Sequence, residues 1–471
     1  MTRIVVLSDL HLAPPGRLAT FHATGELADM LARELRDGTT LVLAGDTFDL
    51  LQVEQHPGVI DLLGAASRVR TCLDGFASTT GGRAVLNALR TALQNGTRCV
   101  VIPGNHDPET RHPEVELVLR QALGLDSDDP RLTVHRRGVP WNHRVGDWDV
   151  LVGHGNRRDP FNDIDVDEIR SAIDGGAESY PLPPGSRLVV DGLNAYKLAH
   201  SATDPRHFHF IDAFKPEVPA VPLLMLYLDP ELACSKVLPT LGMEGSRALV
   251  RALRGRLRKG GTLRAHTEGN GASGAVTDCL AGALTDSERL APDATVRALE
   301  DALENVRRDR TPAASGMLAH GNAGGGFRPL LRAAVYALSS DGAHFRTDEV
   351  GAGVDAPIIS EHLPPGCPRR VVVAGHTHAA REIHVDGDSE RVYLNTGTWS
   401  DLLRLPTDLP ALTPELLADS GAIEALDVRL EGWINDVVAG RIAPLRRLSF
   451  AEVGEDGPRL RWWRPDPATL T

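Results

Sequence analysis

Five short apolar runs, each closing on a small residue or turn and then on Asp, Asn or His, constrain this chain more than any other feature. They are Ile4-Val5-Val6-Leu7-Ser8-Asp9, Leu41-Val42-Leu43-Ala44-Gly45-Asp46, Val100-Val101-Ile102-Pro103-Gly104-Asn105-His106, Val150-Leu151-Val152-Gly153-His154 and Val371-Val372-Val373-Ala374-Gly375-His376. Continuous β-branched runs of this length read as strands buried on both faces. Between the first two, Gly25 to Arg36 places Leu27, Met30, Leu31 and Leu35 at helical spacing, and Arg83 to Leu93 supplies a helix ahead of the third. Such alternation predicts an α/β fold whose polar residues gather at the carboxyl ends of the strands, where sheets of this kind hold ligands. Further on, Arg391-Val392-Tyr393-Leu394 reads as another strand, and Leu448 to Trp463 as a hairpin turning at Gly454-Glu455-Asp456-Gly457.

The fourth and fifth runs stand far apart. From His154 to His376 is 222 positions, too many for a connecting loop. Within that stretch Thr295 to Arg307 and Leu330 to Leu338 carry amphipathic helical spacing, while Gly255 to Gly274 and Ala313 to Gly326 read as flexible connections. The chain therefore reads as a core in two parts, 1–155 and 366–471, interrupted by a mainly helical insertion or cap over 156–365.

Charge and composition exclude several classes. A net charge of −13 repels a phosphate backbone, which disfavours nucleic acid as a partner. No apolar run nears the ~18 residues needed to span a bilayer, and a strand pattern begins almost at once, so neither a transmembrane segment nor a signal peptide is expected. The five cysteines lack Cys-x-x-Cys spacing, which points away from a disulfide framework or zinc ribbon and toward a reducing cytoplasm.

The strand tips collect a set of metal donors: Asp9 and His11, Asp46 and Asp49, Asn105 and His106, His154, then His376 and His378. Carboxylate, imidazole and carboxamide suit borderline first-row cations such as Mn, Fe or Zn, and the lack of thiolate disfavours softer ones. Asp9 and His11 are two apart, so a true strand would point both to one face. His376 and His378 repeat the spacing, and a bend there would let them address neighbouring ions. Seven of these, Asp9, His11, Asp46, Asn105, His154, His376 and His378, already exceed what one tetrahedral ion with an open position takes, yet they suffice for two ions sharing a bridge. A bridging carboxylate offsets the repulsion between two dications, and Asp46 is the natural candidate.

In this order the motifs D-x-H, G-D-x-x-D, G-N-H-[DE], G-H and G-H-x-H resemble the calcineurin-like metallophosphoesterase superfamily, over roughly 1–155 and 366–400. The resemblance implies a four-layer αββα sandwich and two divalent ions, Mn favoured. One would take Asp9, His11, Asp46 and His378, the other Asp46, Asn105, His154 and His376. It implies hydrolysis of a phosphodiester or phosphomonoester by a metal-bridging hydroxide, with His106 protonating the leaving oxygen and Asp49 orienting the His106 ring. Asp49 replaces the tyrosine of purple acid phosphatases, and Leu50-Leu51 replace the Arg-Gly of Ser/Thr protein phosphatases. The strings around Asp9 and Asp46 look closer to UDP-2,3-diacylglucosamine pyrophosphatase, which commonly has arginine where this chain has His106. The substrate expected is a small-molecule or lipid-headgroup phosphoester, ahead of a nuclease or a non-catalytic scaffold.

Other features carry weaker expectations. The loop leaving His154 offers Arg157 and Arg158 as phosphate clamps and Asp159 and Asn162 as contacts to a substrate hydroxyl, with a solvated loop as the rival reading. Asp107 and Asn395-Thr396-Gly397 read as capping and turn residues. His200, His207 and His209 lack the partners of a third metal site. Leu223 to Leu228 reads as cap core, and Trp462-Trp463 as the end of a final strand.

Overall fold

A computed structural model describes residues 3–200, 211–213, 342–351, 353–404 and 420–464, with single positions 221, 225, 232 and 406. The candidate helices Thr295 to Arg307 and Leu330 to Leu338 and both glycine-rich stretches lie outside the described residues, as do His207, His209 and most of Leu223 to Leu228. The chain forms two compact units: Met1–Val190 with Gly342–Leu402 and Leu445–Thr471, and Asp191–Asp341 with Leu403–Pro444. These limits differ from the expected 155 and 366. Residues 156–190 stay with the first unit because they bond to its loops, Ser186 Oγ donating to the Asn105 carbonyl for example.

The strands run in chain order β1 (Arg3–Leu7), β2 (Thr39–Ala44), β3 (Ile60–Asp61), β4 (Arg98–Ile102), β5 (Leu132–Val134), β6 (Trp141–Val145), β7 (Trp148–Val152), β8 (Ser179–Tyr180), β9 (Arg370–Ala374), β10 (Arg381–His384), β11 (Arg391–Asn395), β12 (Ser449–Gly454) and β13 (Gly457–Trp462). One large sheet has the order β13-β12-β1-β2-β4-β5, a second β10-β11-β9-β7-β6, and β3 and β8 form a small two-stranded sheet. In these two large sheets β1, β2, β4 and β5 are parallel, as are β7, β9 and β11, while β6, β10, β12 and β13 pair antiparallel.

Alternation along the strands sorts the apolar side chains into layers. In the first sheet Val5, Leu7, Leu41, Leu43 and Val101 face α1 (Thr24–Glu34), α2 (Ala65–Ala77), α3 (Thr80–Gln94) and α4 (Pro113–Ala122), which cover them with Met30, Phe76, Leu86 and Leu119 among others. Their neighbours Ile4, Val6, Val42 and Val100 meet Val150, Val152, Val371 and Val373 of the second sheet. On its far side Val372 and Tyr393 pack on Ile358 and Leu363 at the helix Asp355–His362. The first unit thus stacks helices, sheet, sheet and helix. Each fully buried aliphatic side chain contributes about 1.5–3 kcal/mol to holding these layers together.

The helices expected at Gly25 to Arg36 and Arg83 to Leu93 are present as α1 and α3. The strand at Val150 is less enclosed than expected, since Asp149 and Leu151 are only partly covered. In the second unit the helix Ser420–Val438 buries Leu426, Leu430, Trp433 and Val437, a spacing that the sequence reading passed over. No helix among the described residues is long and apolar enough to cross a membrane.

Candidate metal centre

The donor residues all leave the carboxyl ends of parallel strands: Asp9 and His11 after β1, Asp46 and Asp49 after β2, Asn105 and His106 after β4, His154 after β7, His376 and His378 after β9. Two sheets packed face to face bring these ends together. Beyond the strands the loops stay laced, with Asp9 N donating to Gly45 O at 3.1 Å, His11 N to Asp46 O at 2.9 Å and Gly375 N to His154 O at 2.8 Å.

Asp9 and His11 do not share a strand face, because β1 has ended before them. Instead Asp9 (φ 51°), His11 (50°), Asp46 (49°), His376 (70°) and His378 (58°) are all left-handed. Among the described non-glycine residues only Asp386 joins them. Each costs on the order of 1–3 kcal/mol and persists because the surrounding hydrogen bonds over-determine it. The turn after each strand, rather than strand periodicity, aims the donors inward.

The donor atoms form three overlapping groups, each within 4.8 Å: Asp9, His11 and His378; His11, Asp46 and His106; Asp46, His154 and His376. Asp46 is in two of them. Its Oδ1 accepts the His106 amide at 2.8 Å, and its Oδ2 lies 3.2 Å from His154 Nε2. Asn105 Oδ1 is 3.1 Å from His154 Nε2, while its Nδ2 points away to Asn162 Oδ1 at 3.4 Å.

Two rings have one nitrogen hydrogen-bonded to the protein and a third has one beside a carboxylate, which leaves the other nitrogen for the centre. His154 Nδ1 meets the Ala44 carbonyl at 3.0 Å, His376 Nε2 meets Asp159 Oδ2 at 2.9 Å, and His11 Nδ1 lies 3.4 Å from Asp49 Oδ2. The free side of His11 faces His378, Nε2 to Nε2 at 3.2 Å, with Asp9 Oδ1 3.3 Å from that same His378 nitrogen. His106 Nδ1 lies 3.2 Å from Asp49 Oδ1, so one carboxylate steadies both His11 and His106.

Charge balance tests whether divalent ions suit this cradle. Asp9, Asp46 and Asp49 are at most 2% exposed, and their ion-pair partners among the described residues are all imidazoles, with no arginine or lysine. Burial pushes the Asp9 carboxyl up, but the His378 bond and the His154 and His378 charges prevail and hold it at about 2. Burial likewise opposes ionisation of Asp46 and Asp49, and His154 for the one and His106 for the other keep them well below the usual carboxylate range. His154 is raised to about 9: burial works against its charge, and Asp46 more than restores it. Buried anions whose ion-pair partners are imidazoles suit a pair of cations, with His154 giving up its proton on loading. The donor set fits.

Two glycines show how tightly the cradle is built. At Gly45 (φ 90°) a Cβ would fall on the His154 ring. A Cβ at Gly104 would meet Asp46 Oδ1 and stand 2.5 Å from the Asp46 backbone nitrogen, which cannot give way. Gly104→Ala is accordingly expected to weaken metal binding by about 10- to 100-fold, as displacement of a supporting group does, with the circular dichroism spectrum unchanged. Retention of full metal affinity by that variant contradicts the packing argument.

One expected role is corrected. Asp107 caps no helix with its side chain. It is fully buried and accepts the Gly104, Thr47 and Phe48 amides, locking the Asp46 and Asn105 loops together. Asn395 and Thr396 brace the centre from behind, Asn395 Nδ2 donating to Gly375 O at 2.9 Å and Thr396 Oγ1 lying 2.5 Å from Ser8 Oγ, which in turn donates to Asp9. Of the substrate candidates, Asp159 and Asn162 are turned onto His376 and Asn105, Arg157 donates to the Gly138 carbonyl, and Arg158 pairs with Glu361. Sequence reasoning missed Ser8 and the Ala44 carbonyl, which carry no signal beyond adjacency to the motifs.

Glu109, 1% exposed under the same loop, is raised to about 7 by burial, which Arg68 at 3.4 Å only partly opposes. A folded-state value above the unfolded 4.5 means that its contribution is complete below pH 4.5 and lost as pH rises through about 7. Glu109→Gln should remove that slope and raise stability at pH 8 relative to pH 5 by roughly 3 kcal/mol, read by urea denaturation at both values. Parallel losses in variant and wild type contradict the assignment.

Residues 2–172 match the family model for calcineurin-like phosphoesterases. No curated protein matches the chain.

Proposed function

We propose, from the membership of residues 2–172 in the calcineurin-like phosphoesterase superfamily, that the chain is a hydrolase of small-molecule phosphoesters that uses two divalent ions. The observation that carries this reading is the place of Asp46 in two donor groups, one with His11 and one with His154 and His376. Asp9, His11, Asp46 and His378 would hold one ion, and Asp46, Asn105, His154 and His376 the other. When bound, such a pair supplies Lewis acidity toward a phosphoryl oxygen and a nucleophile at neutral pH, and nitrogen and oxygen donors favour Mn, Fe or Zn.

The protein's own part is positioning and proton transfer. With Nδ1 held by Asp49, the His106 ring keeps one orientation and presents Nε2 for donation to a departing alkoxide. Asp49, which stays ionised, favours the protonated ring. Asp159 and the Ala44 carbonyl fix His376 and His154, so neither ring turns when substrate arrives.

Hydrolysis of p-nitrophenyl phosphate and of bis-p-nitrophenyl phosphate, over a panel of Mn, Fe and Zn, tests the reading. At least one substrate is expected to turn over, to stop on chelation and to recover when metal is returned. Failure with both substrates and every ion contradicts it, and the ratio between the two separates a monoesterase from a diesterase.

A further inference from the structure

Beside the His154 loop lies a cavity with its own chemistry. Arg111, Arg137, Arg157 and Arg158 line it together with Glu361 and His362. Four guanidinium groups against one carboxylate is an unusual concentration of positive charge in a chain whose net charge is −13. Convergence of like charge is unfavourable unless an anion offsets it.

Arg111 is the deepest of the four, 7% exposed. Its Nη2 reaches the Pro103 carbonyl at 3.4 Å, while its buried Nε has no hydrogen-bond partner among the described residues. The nearby Asp107 does not serve it, since both carboxylate oxygens are committed to the Gly104, Thr47 and Phe48 amides. Burial, resisted by Asp107 and reinforced by Arg157, brings the Arg111 guanidinium down to about 10, which leaves it charged at neutral pH. At the rim Arg137 is exposed and makes no ion pair among the described residues. Arg158 is already paired with Glu361, while Arg111, Arg137 and Arg157 form no salt bridge among the described residues, with Asp107 acting on Arg111 and Asp163 on Arg157 from farther away. A planar guanidinium fork suits a tetrahedral oxyanion, and a second arginine beside it adds charge and direction.

We propose that this cavity is a second ligand site, distinct from the candidate metal centre, for a phosphate group that is either free or the end of a small ester. Arg111 forms its floor, and Arg137 and Arg157 its rim. Gly153, His154, Gly155 and Asn156 line the cavity, so it adjoins the candidate metal centre through a residue proposed as one of its ligands.

Isothermal titration calorimetry on the full chain, stripped of metal, with inorganic phosphate and with glycerol 2-phosphate, tests the proposal without recourse to hydrolysis. One anion per chain is expected to bind, equally well in wild type and in Asp46→Asn. Arg111→Met and Arg137→Ala are each expected to weaken binding by about 10- to 100-fold, the usual loss for a hydrogen bond to a charged group. Tighter binding of the ester identifies a larger ligand, and tighter binding of inorganic phosphate identifies the free anion. No binding by the metal-free chain, binding unchanged in both arginine variants, or binding lost only in Asp46→Asn overturns the proposal. If Arg111→Met does not fold, the exposed Arg137 decides alone, and unchanged binding in Arg137→Ala then overturns it.

Discussion

Asp46→Asn is expected to lower hydrolysis by more than about 100-fold and to leave at most one tightly held ion per chain. Loss of a group that merely supports a ligand costs about 10- to 100-fold, and Asp46 is the proposed shared donor itself. The substitution preserves shape and one acceptor oxygen, so the His106 amide at 2.8 Å keeps its partner and the loop keeps its path. What disappears is charge. Asp46 is 2% exposed and is kept ionised far below neutrality, because the charges of His154, His106 and His11 outweigh the effect of burial. A neutral amide there leaves two dications without the anion that offsets their mutual repulsion. Metal content by elemental analysis and kcat on the same preparation check both halves of the expectation. Undiminished activity with two ions retained contradicts the bridging role.

His106→Ala is expected to behave differently, losing about 10²- to 10⁴-fold in rate while metal content stays at the wild-type value. The ring is not among the proposed ligands, although it falls within 4.8 Å of His11 and Asp46. Its second nitrogen is engaged by Asp49 at 3.2 Å, the arrangement of a proton donor held in orientation. A donor matters most when the departing oxygen is a strong base. The deficit should therefore shrink for p-nitrophenolate, which leaves without help, and reach its full size for an alkyl ester. An equal deficit for both leaving groups, or a loss of metal in step with activity, contradicts the proton-donor role and moves His106 into the ligand set.

The strands were legible because each is a compact β-branched run with a polar tip, and β1, β2, β4, β7 and β9 fall where those runs lie. The donor residues were legible for the same reason, since burial on both faces leaves only the strand ends for chemistry. What brings the donors together was not. The left-handed backbone at Asp9, His11, Asp46, His376 and His378 has only a faint residue signature, because Asp and His enter that region more often than most side chains but far less often than glycine. The pairing of β12 with β1 joins residues more than four hundred positions apart, which local pattern cannot reveal. Asp107 misled through its context, since an Asp ahead of Pro108 and a short helix looks like a cap. Only the fold shows three amides converging on it. The helix Ser420–Val438 was legible after all from Leu426, Leu430, Trp433 and Val437.

The pH dependence of metal uptake follows from His154. In the metal-free chain this ring stays protonated up to about pH 9, so loading an ion displaces a proton and affinity rises with pH below that value. Affinity near pH 6 is expected to be about 10-fold weaker than near pH 7 for each proton displaced. A flat profile contradicts the exchange of ring protons for metal.

Titration of metal-free protein with Mn²⁺, followed by electron paramagnetic resonance and by anomalous scattering from crystals of the loaded chain, tests the pair of ions most directly. The account predicts two Mn²⁺ per chain, magnetically coupled, one among Asp9, His11 and His378, the other among Asn105, His154 and His376, with Asp46 between them. A single isolated ion, or a chain that takes up no manganese at saturation, contradicts it.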